Sequence, residues 1–170
     1  MSAAAHVTLA SLSAGDQAHF VSVLGAIFEH SPWVAERAWA ARPFATIGAL
    51  HTAMAAAVQS ATAAEQLALI CAHPELAGKE AAAGSLTADS QTEQTSAGID
   101  RCTVEELDLL RALNRAYRDK FGFPFVMAVK HRSKVEIIAA MASRVDNDRE
   151  TEFAACLAEI AKIGRLRLDA

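Results

Sequence analysis

A histidine followed by a proline, with several carboxylates close behind, is the combination in this sequence best suited to chemistry. His73 precedes Pro74. Four acidic residues follow within twenty positions: Glu75, Glu80, Asp89 and Glu93. Histidine suits proton transfer because its ordinary pKa lies near neutrality, and a nearby carboxylate can orient its ring. The combination is therefore a candidate general acid–base site.

The same stretch also has a simpler interpretation. Residues 73–98 are rich in polar and small residues and lie between segments dominated by Ala, Leu, Ile and Val. The residue before a proline is disfavoured in the helical conformation, so the His73–Pro74 pair ends a helix whatever its function. Composition alone leaves both interpretations open: a helix end followed by a solvated loop, or one wall of a site.

A second candidate is cationic and lies near the end of the sequence. Arg165 and Arg167 alternate with Leu166 and Leu168. An arginine guanidinium binds carboxylate or ureido oxygens through two parallel hydrogen bonds. Positive charge is also favourable at the end of a helix. Residue type therefore does not decide between a ligand contact and helix stabilisation.

Motifs for several other chemistries are absent from the sequence. The remaining histidines stand singly: His6, His19, His30, His51 and His131. No His-Glu-x-x-His or Glu-x-x-His pair occurs, so we predict no metal site. There is also no Gly-x-Ser-x-Gly elbow and no glycine-rich phosphate loop. The sequence therefore does not indicate a zinc or di-iron enzyme, a serine hydrolase or a nucleotide-binding protein.

The composition indicates a soluble protein of the cytoplasm. Of the 170 residues, 52% are hydrophobic and 21% are charged, and the formal net charge is −4. Nucleic-acid binding needs a clustered excess of Lys and Arg, so no such partner is expected. Cys71, Cys102 and Cys156 are widely spaced and are expected to be reduced and buried. With no signal peptide and no apolar run of about 18 residues, no membrane association is expected.

Helical periodicity runs through almost the whole chain. Capping signals predict helix starts at Asp16, Ser31, Thr46, Thr62, Thr103, Ser133 and Asn147. Residues 121–125 form an apolar break that we expect to be buried, and residues 123–129 are the only short strand candidate. The sequence predicts an all-α bundle of about seven to eight helices in a single domain over residues 1–170. Residues 1–15 are expected to include a flexible segment.

Five blocks of sequence occur in an order that resembles one known family. They are EHSPWVAERAW (29–39), HPELAGK (73–79), LTADSQTEQTSAG (86–98), LNRAYRDKFGFPFVMAVK (113–130) and IAKIGRLRL (160–168). Together they resemble 2-oxo-4-hydroxy-4-carboxy-5-ureidoimidazoline (OHCU) decarboxylase, an enzyme of purine and ureide catabolism. The resemblance extends from about Phe20 to Leu168 and therefore covers nearly the whole chain.

The resemblance implies an all-α enzyme that needs no cofactor and is commonly a homodimer. Its substrate would be OHCU and its product (S)-allantoin, in the last step from urate. The enzyme would release the carboxylate as CO2 and protonate the resulting carbon on one face. Neither a metal, a nucleic acid nor a membrane is implied.

The resemblance also implies roles for individual residues. His73 matches the family's catalytic histidine and Glu93 the carboxylate that works with it. The matching substrate-binding positions are Pro74, Ser90, Gln91, Thr92, Glu93, Gln94, Phe125, Val126, Met127, Ala128, Val129 and Arg167. Residues 125–129 would present backbone groups, whereas Arg167 and the Gln94 amide would bind the anionic and ureido ends. Arg165 matches no functional position.

Two alternatives stay open at the level of sequence. A related decarboxylase of another heterocyclic ureido acid would share the same blocks, because substrate choice can depend on a few contacts in the pocket. The alternative from another class is a non-catalytic helical ligand-binding protein. Such a protein would have no need for a polar interruption that bears a histidine and is followed by a buried aromatic turn.

Overall fold

A computed structural model describes residues 7–170 of the protein, so His6 lies outside the described residues. These residues contain ten α-helices. In chain order they are α1 (Leu9–Ala14), α2 (Gln17–Leu24), α3 (Trp33–Ala38), α4 (Ile47–Gln59), α5 (Ala63–Ala72), α6 (Lys79–Ala82), α7 (Ala88–Ser96), α8 (Val104–Phe121), α9 (Lys134–Arg144) and α10 (Arg149–Leu168). Two short 3-10 helices cover Trp39–Ala41 and Ile99–Arg101.

The all-α fold class is confirmed for the part of the chain that the structure describes. None of residues 7–170 is in a strand, so the strand candidate at residues 123–129 was wrong. That segment is irregular backbone, and side chains from neighbouring helices supply part of its hydrogen bonding. The predicted buried apolar break is confirmed, because Phe121, Phe123 and Phe125 are each 2% exposed or less.

Five of the seven predicted helix starts are confirmed by their capping hydrogen bonds. The caps are Asp16, Thr46, Thr62, Thr103 and Ser133. At Thr103 the hydroxyl accepts the backbone N–H of Glu106 at 3.2 Å, and the Glu106 carboxylate accepts the Thr103 N–H at 2.8 Å. This reciprocal pair satisfies two donors that a helix start leaves without intrahelical partners.

The other two predicted helix starts were wrong by one residue. Helix α3 begins after Pro32 without a side-chain cap, because the Ser31 hydroxyl donates to the backbone carbonyl of Glu29 at 2.8 Å. Helix α10 is capped by Asp148, whose carboxylate accepts the Thr151 N–H at 2.8 Å. The neighbouring Asn147 side chain donates instead to a buried carboxylate on α10.

Three helices were not predicted from the sequence: α1, α6 and α7. Helix α1 occupies Leu9–Ala14, inside the segment expected to be flexible, and its mobility stays a prediction. Helix α7 lies in the polar stretch of residues 73–98, called the polar run below, and begins at its cap Thr87. Its side chains are mostly polar, so the sequence showed no apolar stripe by which to recognise it.

The described residues form two compact units. The first contains residues 7–69 and Gly164–Ala170, and the second contains Ile70–Ile163. In the first, the ring of Phe20 packs 5.1 Å from that of Trp39 and 5.9 Å from that of Phe44. In the second, an aromatic cluster forms the centre of the core: Tyr117, Phe121, Phe123, Phe125 and Phe153. The expectation of a single domain stays a prediction.

Residues 7–170 contain neither a candidate membrane span nor a cluster of metal-ligating side chains. No helix there is both long enough and apolar enough to cross a membrane. The same residues contain no group of three or more His, Cys, Asp or Glu side chains able to hold a metal ion.

Candidate active site

A small cavity in the second unit brings together three stretches of the sequence and one residue of α10. Its volume is about 30 Å³. Its walls are His73, Pro74, Leu76, Ser90, Glu93, Gln94, Phe125, Val126, Met127, Val129 and Ile163. Most of the site residues expected in this unit therefore surround one space.

His73 reaches the cavity because a helix ends immediately before it. Helix α5 ends at Ala72, and the His73 N–H donates to the Ile70 carbonyl in a closing turn at 3.1 Å. Pro74 prevents the helix from continuing. The His73 residue is only 6% exposed, so it does not begin a solvated loop. Of the two interpretations of this stretch, the structure favours a wall of a site.

Helix α7 supplies the second wall through its periodicity. Ser90, Glu93 and Gln94 stand at positions i, i+3 and i+4, which share one face of a helix. Gln91 and Thr92 fall on the other side, are exposed, and are not part of the cavity wall. The resemblance marked 90–94 as one continuous segment, whereas the helix divides it into inward and outward positions.

Gln94 also holds the loop that follows His73. Its Oε1 accepts the Ala77 N–H at 3.1 Å, and its Nε2 donates to the Glu75 carbonyl at 3.4 Å. Ala77 has a φ of 52°, in the left-handed region that disfavours residues other than glycine. The Gln94 amide therefore stabilises an unfavourable backbone conformation next to the cavity.

The third wall is the irregular segment 125–129, which helices α9 and α10 hold in place. Arg144 on α9 donates from Nη1 to the Val126 carbonyl at 2.8 Å. Glu159 on α10 accepts the Ala128 N–H at 2.9 Å. Ala128 does not line the cavity, although both of its neighbours do. Two charged side chains thus fix the backbone that forms this wall.

Arg144 belongs to a buried polar network centred on Glu152 of α10. The Glu152 residue is fully buried, and Arg144 donates to its Oε2 from Nε at 2.9 Å. The Nη2 of Arg144 forms an ion pair with the same oxygen at 2.8 Å. Asn147 donates to the Oε1 at 2.8 Å, and the Tyr117 hydroxyl makes a short hydrogen bond to the Oε2. The guanidinium of Arg144 also lies 4.4 Å from the ring centre of Phe125.

The network keeps opposite charges on its central pair. Burial raises the pKa of Glu152, but hydrogen bonds from Arg144, Tyr117 and Asn147 outweigh burial and lower the pKa below its ordinary 4.5. Burial lowers the pKa of Arg144, and the Glu152 carboxylate more than offsets this and raises it. Burial first, and then Cys156 and Glu152, raise the pKa of Tyr117, which therefore remains a hydrogen-bond donor.

Sequence reasoning missed Arg144, Glu152 and Glu159. One signal was available for the two glutamates. Glu152, Cys156, Glu159 and Ile163 follow the spacing i, i+4, i+7 and i+11, which defines one face of a helix. Two carboxylates on a face that also carries Cys156 and Ile163 indicate buried hydrogen-bonded partners. Nothing in the sequence indicated which residues those partners are.

Arg167 lies in the first unit, where it forms a buried ion pair. Its Nη1 donates to Glu29 Oε2 at 2.8 Å and to the Ile27 carbonyl at 3.3 Å, and the two charged side chains are 4% and 2% exposed. Arg165 instead pairs with Asp169 at 2.8 Å, and both of those side chains are 45% exposed. Arg167 is therefore buried and Arg165 exposed. The resemblance also separates them, because it assigns substrate binding to Arg167 and no role to Arg165.

A comparison with protein families decides the affiliation of the chain. A family model described as OHCU decarboxylase matches residues 13–169. The chain belongs to the OHCU decarboxylase family. The resemblance found in the sequence blocks is thereby confirmed.

Individual OHCU decarboxylases support the same conclusion. The chain is 44% identical over 163 residues to the enzyme of that name from Halalkalicoccus jeotgali, covering 96% of this chain and 90% of the relative. It is 43% identical to the enzyme from Haloferax volcanii, covering 95% of this chain and 94% of the relative. It is also 41% identical to a uric acid degradation bifunctional protein of Bacillus subtilis, covering 95% of this chain but 32% of that protein.

Solved structures show the same fold. A crystal structure of (S)-allantoin synthase superimposes with a TM-score of 0.75 at 34% identity, covering 95% of this chain and 53% of that chain. An OHCU decarboxylase crystallised in the presence of (S)-allantoin gives a TM-score of 0.68 over 91% of this chain and 96% of that chain. Its identity is 23%, so it supports the fold alone.

Proposed function

We propose that the protein is a carboxy-lyase that converts OHCU to (S)-allantoin in urate breakdown, without a cofactor. Family membership and the names of the relatives support this activity. The observation that carries it is the placement of His73 and Glu93 in the walls of one cavity, each held there by a helix end or a helix face.

The reaction needs three contributions from the protein. The bond from C4 to the carboxylate breaks and CO2 leaves, while the electron pair forms a double bond to C5 and the imine nitrogen on C5 becomes N–H. The resulting enol takes a proton on one face of C5 as the 4-hydroxyl loses its own proton, which leaves the C4 carbonyl of (S)-allantoin. The protein orients the carboxylate out of the ring plane, stabilises the developing anion and supplies one proton to one face. No oxidant or reductant enters this balance.

His73 is the group we assign to proton delivery. It acts as the acid that protonates the carbon, and the Glu93 carboxylate stabilises its protonated form. Ser90 and the backbone of residues 125–129 bind the heterocycle, with Pro74 as an apolar wall. Gln91, Thr92 and Ala128 are expected contacts by resemblance, although they lie outside the cavity wall.

Arg167 is assigned to the anionic end of the substrate. This role is supported by the match of the terminal LRL block to the family. Burial of the Arg167–Glu29 pair is consistent with a guanidinium held in one orientation, which a bidentate contact with a carboxylate requires.

The experiment that tests the function compares the wild type with His73→Asn. OHCU is generated in place by urate oxidase and the hydrolase, and (S)-allantoin is followed by circular dichroism, because OHCU also decays spontaneously to racemic allantoin. We expect the variant to lose at least about 100-fold in rate. Near-normal formation of the single enantiomer by His73→Asn would refute the assignment.

His131→Asn is the matched control. His131 is exposed and has a φ of 66°, a conformation that asparagine also tolerates. We expect this variant to retain wild-type activity. Replacing OHCU with other ureido acids in the same assay tests the alternative substrate, and binding of (S)-allantoin without any turnover would favour the non-catalytic alternative.

Assembly and location complete the proposal. We infer that the protein acts as a homodimer in the cytoplasm, as the resemblance implies. Light scattering coupled to size exclusion, performed on the full chain, distinguishes a dimer from the 18.0 kDa monomer.

A further inference from the structure

A second and larger cavity lies in the same unit and is not used by the proposed reaction. Its volume is about 290 Å³, close to the lower limit for small-molecule sites. Its walls are Glu75, Ala77, Gly78, Lys79, Ala82, Arg111, Asn114 and Arg115. None of these residues lines the cavity that contains His73. We call it the basic cavity.

Positive charge dominates the walls of the basic cavity. Arg111 and Arg115 stand at positions i and i+4 on α8 and therefore share one face. Within residues 7–170 neither guanidinium has an ion pair or a hydrogen-bonded partner, and both residues are exposed. Lys79 adds a third cation, with only a long 3.9 Å pairing to Glu80.

The single acidic residue in the wall does not neutralise these cations. Glu75 Oε1 accepts a hydrogen bond from Arg118 Nε at 2.7 Å, so its charge is balanced by an arginine that does not line the cavity. An anion entering the basic cavity would therefore meet an excess of positive charge.

A buried polar atom in the wall provides an independent observation. Asn114 is 5% exposed, and its Nδ2 donates to the Leu76 carbonyl at 2.9 Å. Its Oδ1 is buried and has no hydrogen-bond partner in the described part of the chain. Buried polar atoms are nearly always hydrogen-bonded, because a missing bond costs about 1–3 kcal/mol. The Nδ2 contact fixes the amide, so the partner left for the oxygen is a donor other than residues 7–170, such as a bound water or ligand.

We propose that the basic cavity binds a phosphate ligand that carries its own hydrogen-bond donor. The cations Lys79, Arg111 and Arg115 bind the oxyanion, and Asn114 Oδ1 accepts an O–H of the ligand. Inorganic phosphate has such an O–H at neutral pH, and a small organic phosphate provides one through a hydroxyl group. Sulfate has the same shape as phosphate and is also an anion, but it has no proton to donate.

The site borders the loop that follows His73. Part of its wall consists of Glu75, Ala77, Gly78 and Lys79, which follow directly after the His73–Pro74 pair. A bound anion would contact this loop from the basic cavity, whereas Gln94 binds the loop through Ala77 and Glu75. Occupancy should therefore also reduce the mobility of the loop, which hydrogen exchange at residues 75–79 measures directly.

The test measures binding by calorimetry at neutral pH and constant ionic strength, with inorganic phosphate, glycerol 3-phosphate and sulfate as the probes. We expect saturable binding of phosphate, with sulfate weaker by about tenfold because one of its oxygens faces the Asn114 acceptor without a proton. Whichever of inorganic phosphate and glycerol 3-phosphate has the lower Kd shows whether the ligand is free phosphate or a small organic phosphate. Equal affinity for sulfate and phosphate would overturn the role of Asn114.

Two exposed substitutions test the cations without disturbing the core. Arg111→Gln and Arg115→Gln should each weaken phosphate binding by about tenfold, because each removes one charge-assisted contact. Arg132→Gln is the matched control, since Arg132 is exposed in the same unit and does not line the basic cavity. Absence of saturable binding by the wild type, or equal losses in all three variants, would overturn the site. No readout depends on decarboxylase activity.

Discussion

Two residues of the polar run, His73 and Glu93, carry the chemical proposal, and their environments differ. His73 is buried at the end of a helix, whereas Glu93 is half-buried on the inward face of α7. A carboxylate close to an imidazole generally favours the protonated form of that ring. The proposal therefore assigns the proton to His73 and the compensating charge to Glu93.

Removal of that charge tests the assignment at the scale of the residue. Glu93→Gln preserves size but removes the charge, so we expect a fall in kcat of about 10–100-fold. The chiral assay under steady-state conditions measures kcat. Glu80→Gln is the control, because Glu80 belongs to the same polar run but does not line the cavity. A wild-type kcat in Glu93→Gln would contradict the role given to Glu93.

At the scale of the element, the site depends on how a segment without regular structure is held. Residues 125–129 are neither helix nor strand, so they lack the internal hydrogen bonds that would fix a regular element. Arg144 from α9 and Glu159 from α10 bind a carbonyl and an N–H of the segment. The two helices therefore act as positioning elements for this wall of the cavity.

Glu159 permits a clean test of this positioning, because its two oxygens have different partners. Oε2 accepts the Ala128 N–H, whereas Oε1 pairs with Lys162. We expect Glu159→Leu to raise KM by about tenfold, since it leaves the Ala128 N–H without its partner and loosens the segment. Steady-state kinetics with the chiral readout separates KM from kcat.

Lys162→Met is the matched control for that experiment. This variant removes the ion pair between Lys162 and Glu159, in which the Lys162 side chain is the exposed partner. It keeps the hydrogen bond from the Ala128 N–H to Glu159. We expect its KM to be that of the wild type. If both variants changed KM equally, the effect would come from the ion pair rather than from the backbone contact.

For the whole molecule, the buried Arg144–Glu152 pair links stability to pH. Because the pKa of Glu152 is lowered in the folded chain, its contribution is fully present above the pKa of an unfolded glutamate, about 4.3. The contribution is lost as the pH falls through the lower, folded pKa. Acid should therefore remove a stabilising interaction that neutral pH preserves.

Glu152→Gln measures this contribution. At neutral pH we expect a loss of about 3–5 kcal/mol in the free energy of unfolding, because Arg144 keeps a buried charge without its counter-ion. The difference from the wild type should shrink below about pH 4. Thermal or urea unfolding at a series of pH values measures both effects. Glu150→Gln, exposed on the same helix, should change little, and a constant difference at all pH values would contradict the ionised pair.

Much of the fold was predictable because the signals are local. Five helix starts were recognisable from a capping residue and an apolar period within a few positions of it. The exceptions have local causes too: Ser31 donates to the Glu29 carbonyl, and Asp148 rather than Asn147 meets the helix N–H group. Helix α7 was missed because its polar sequence hides its periodicity.

The candidate site was predictable in part for the same reason. His73 is recognisable beside Pro74, and the blocks of the family identify Glu93 and residues 125–129. What remained undetermined was the direction in which each side chain of a block points. Ser90, Glu93 and Gln94 line the cavity while Gln91 and Thr92 do not, and this follows only once α7 is known to be a helix.

The sequence by itself determined the fold class, the family and the candidate proton donor, since these depend on residue type, short-range spacing and the order of blocks. Only the tertiary structure decided which residues meet. Glu159 and Ala128 are 31 positions apart, and Tyr117 and Glu152 are 35 apart. Such partners depend on how helices pack, and a hydrogen bond between them leaves no spacing rule in the chain. The polar run that begins at His73 is thus identified by sequence, but its inward face is defined by packing.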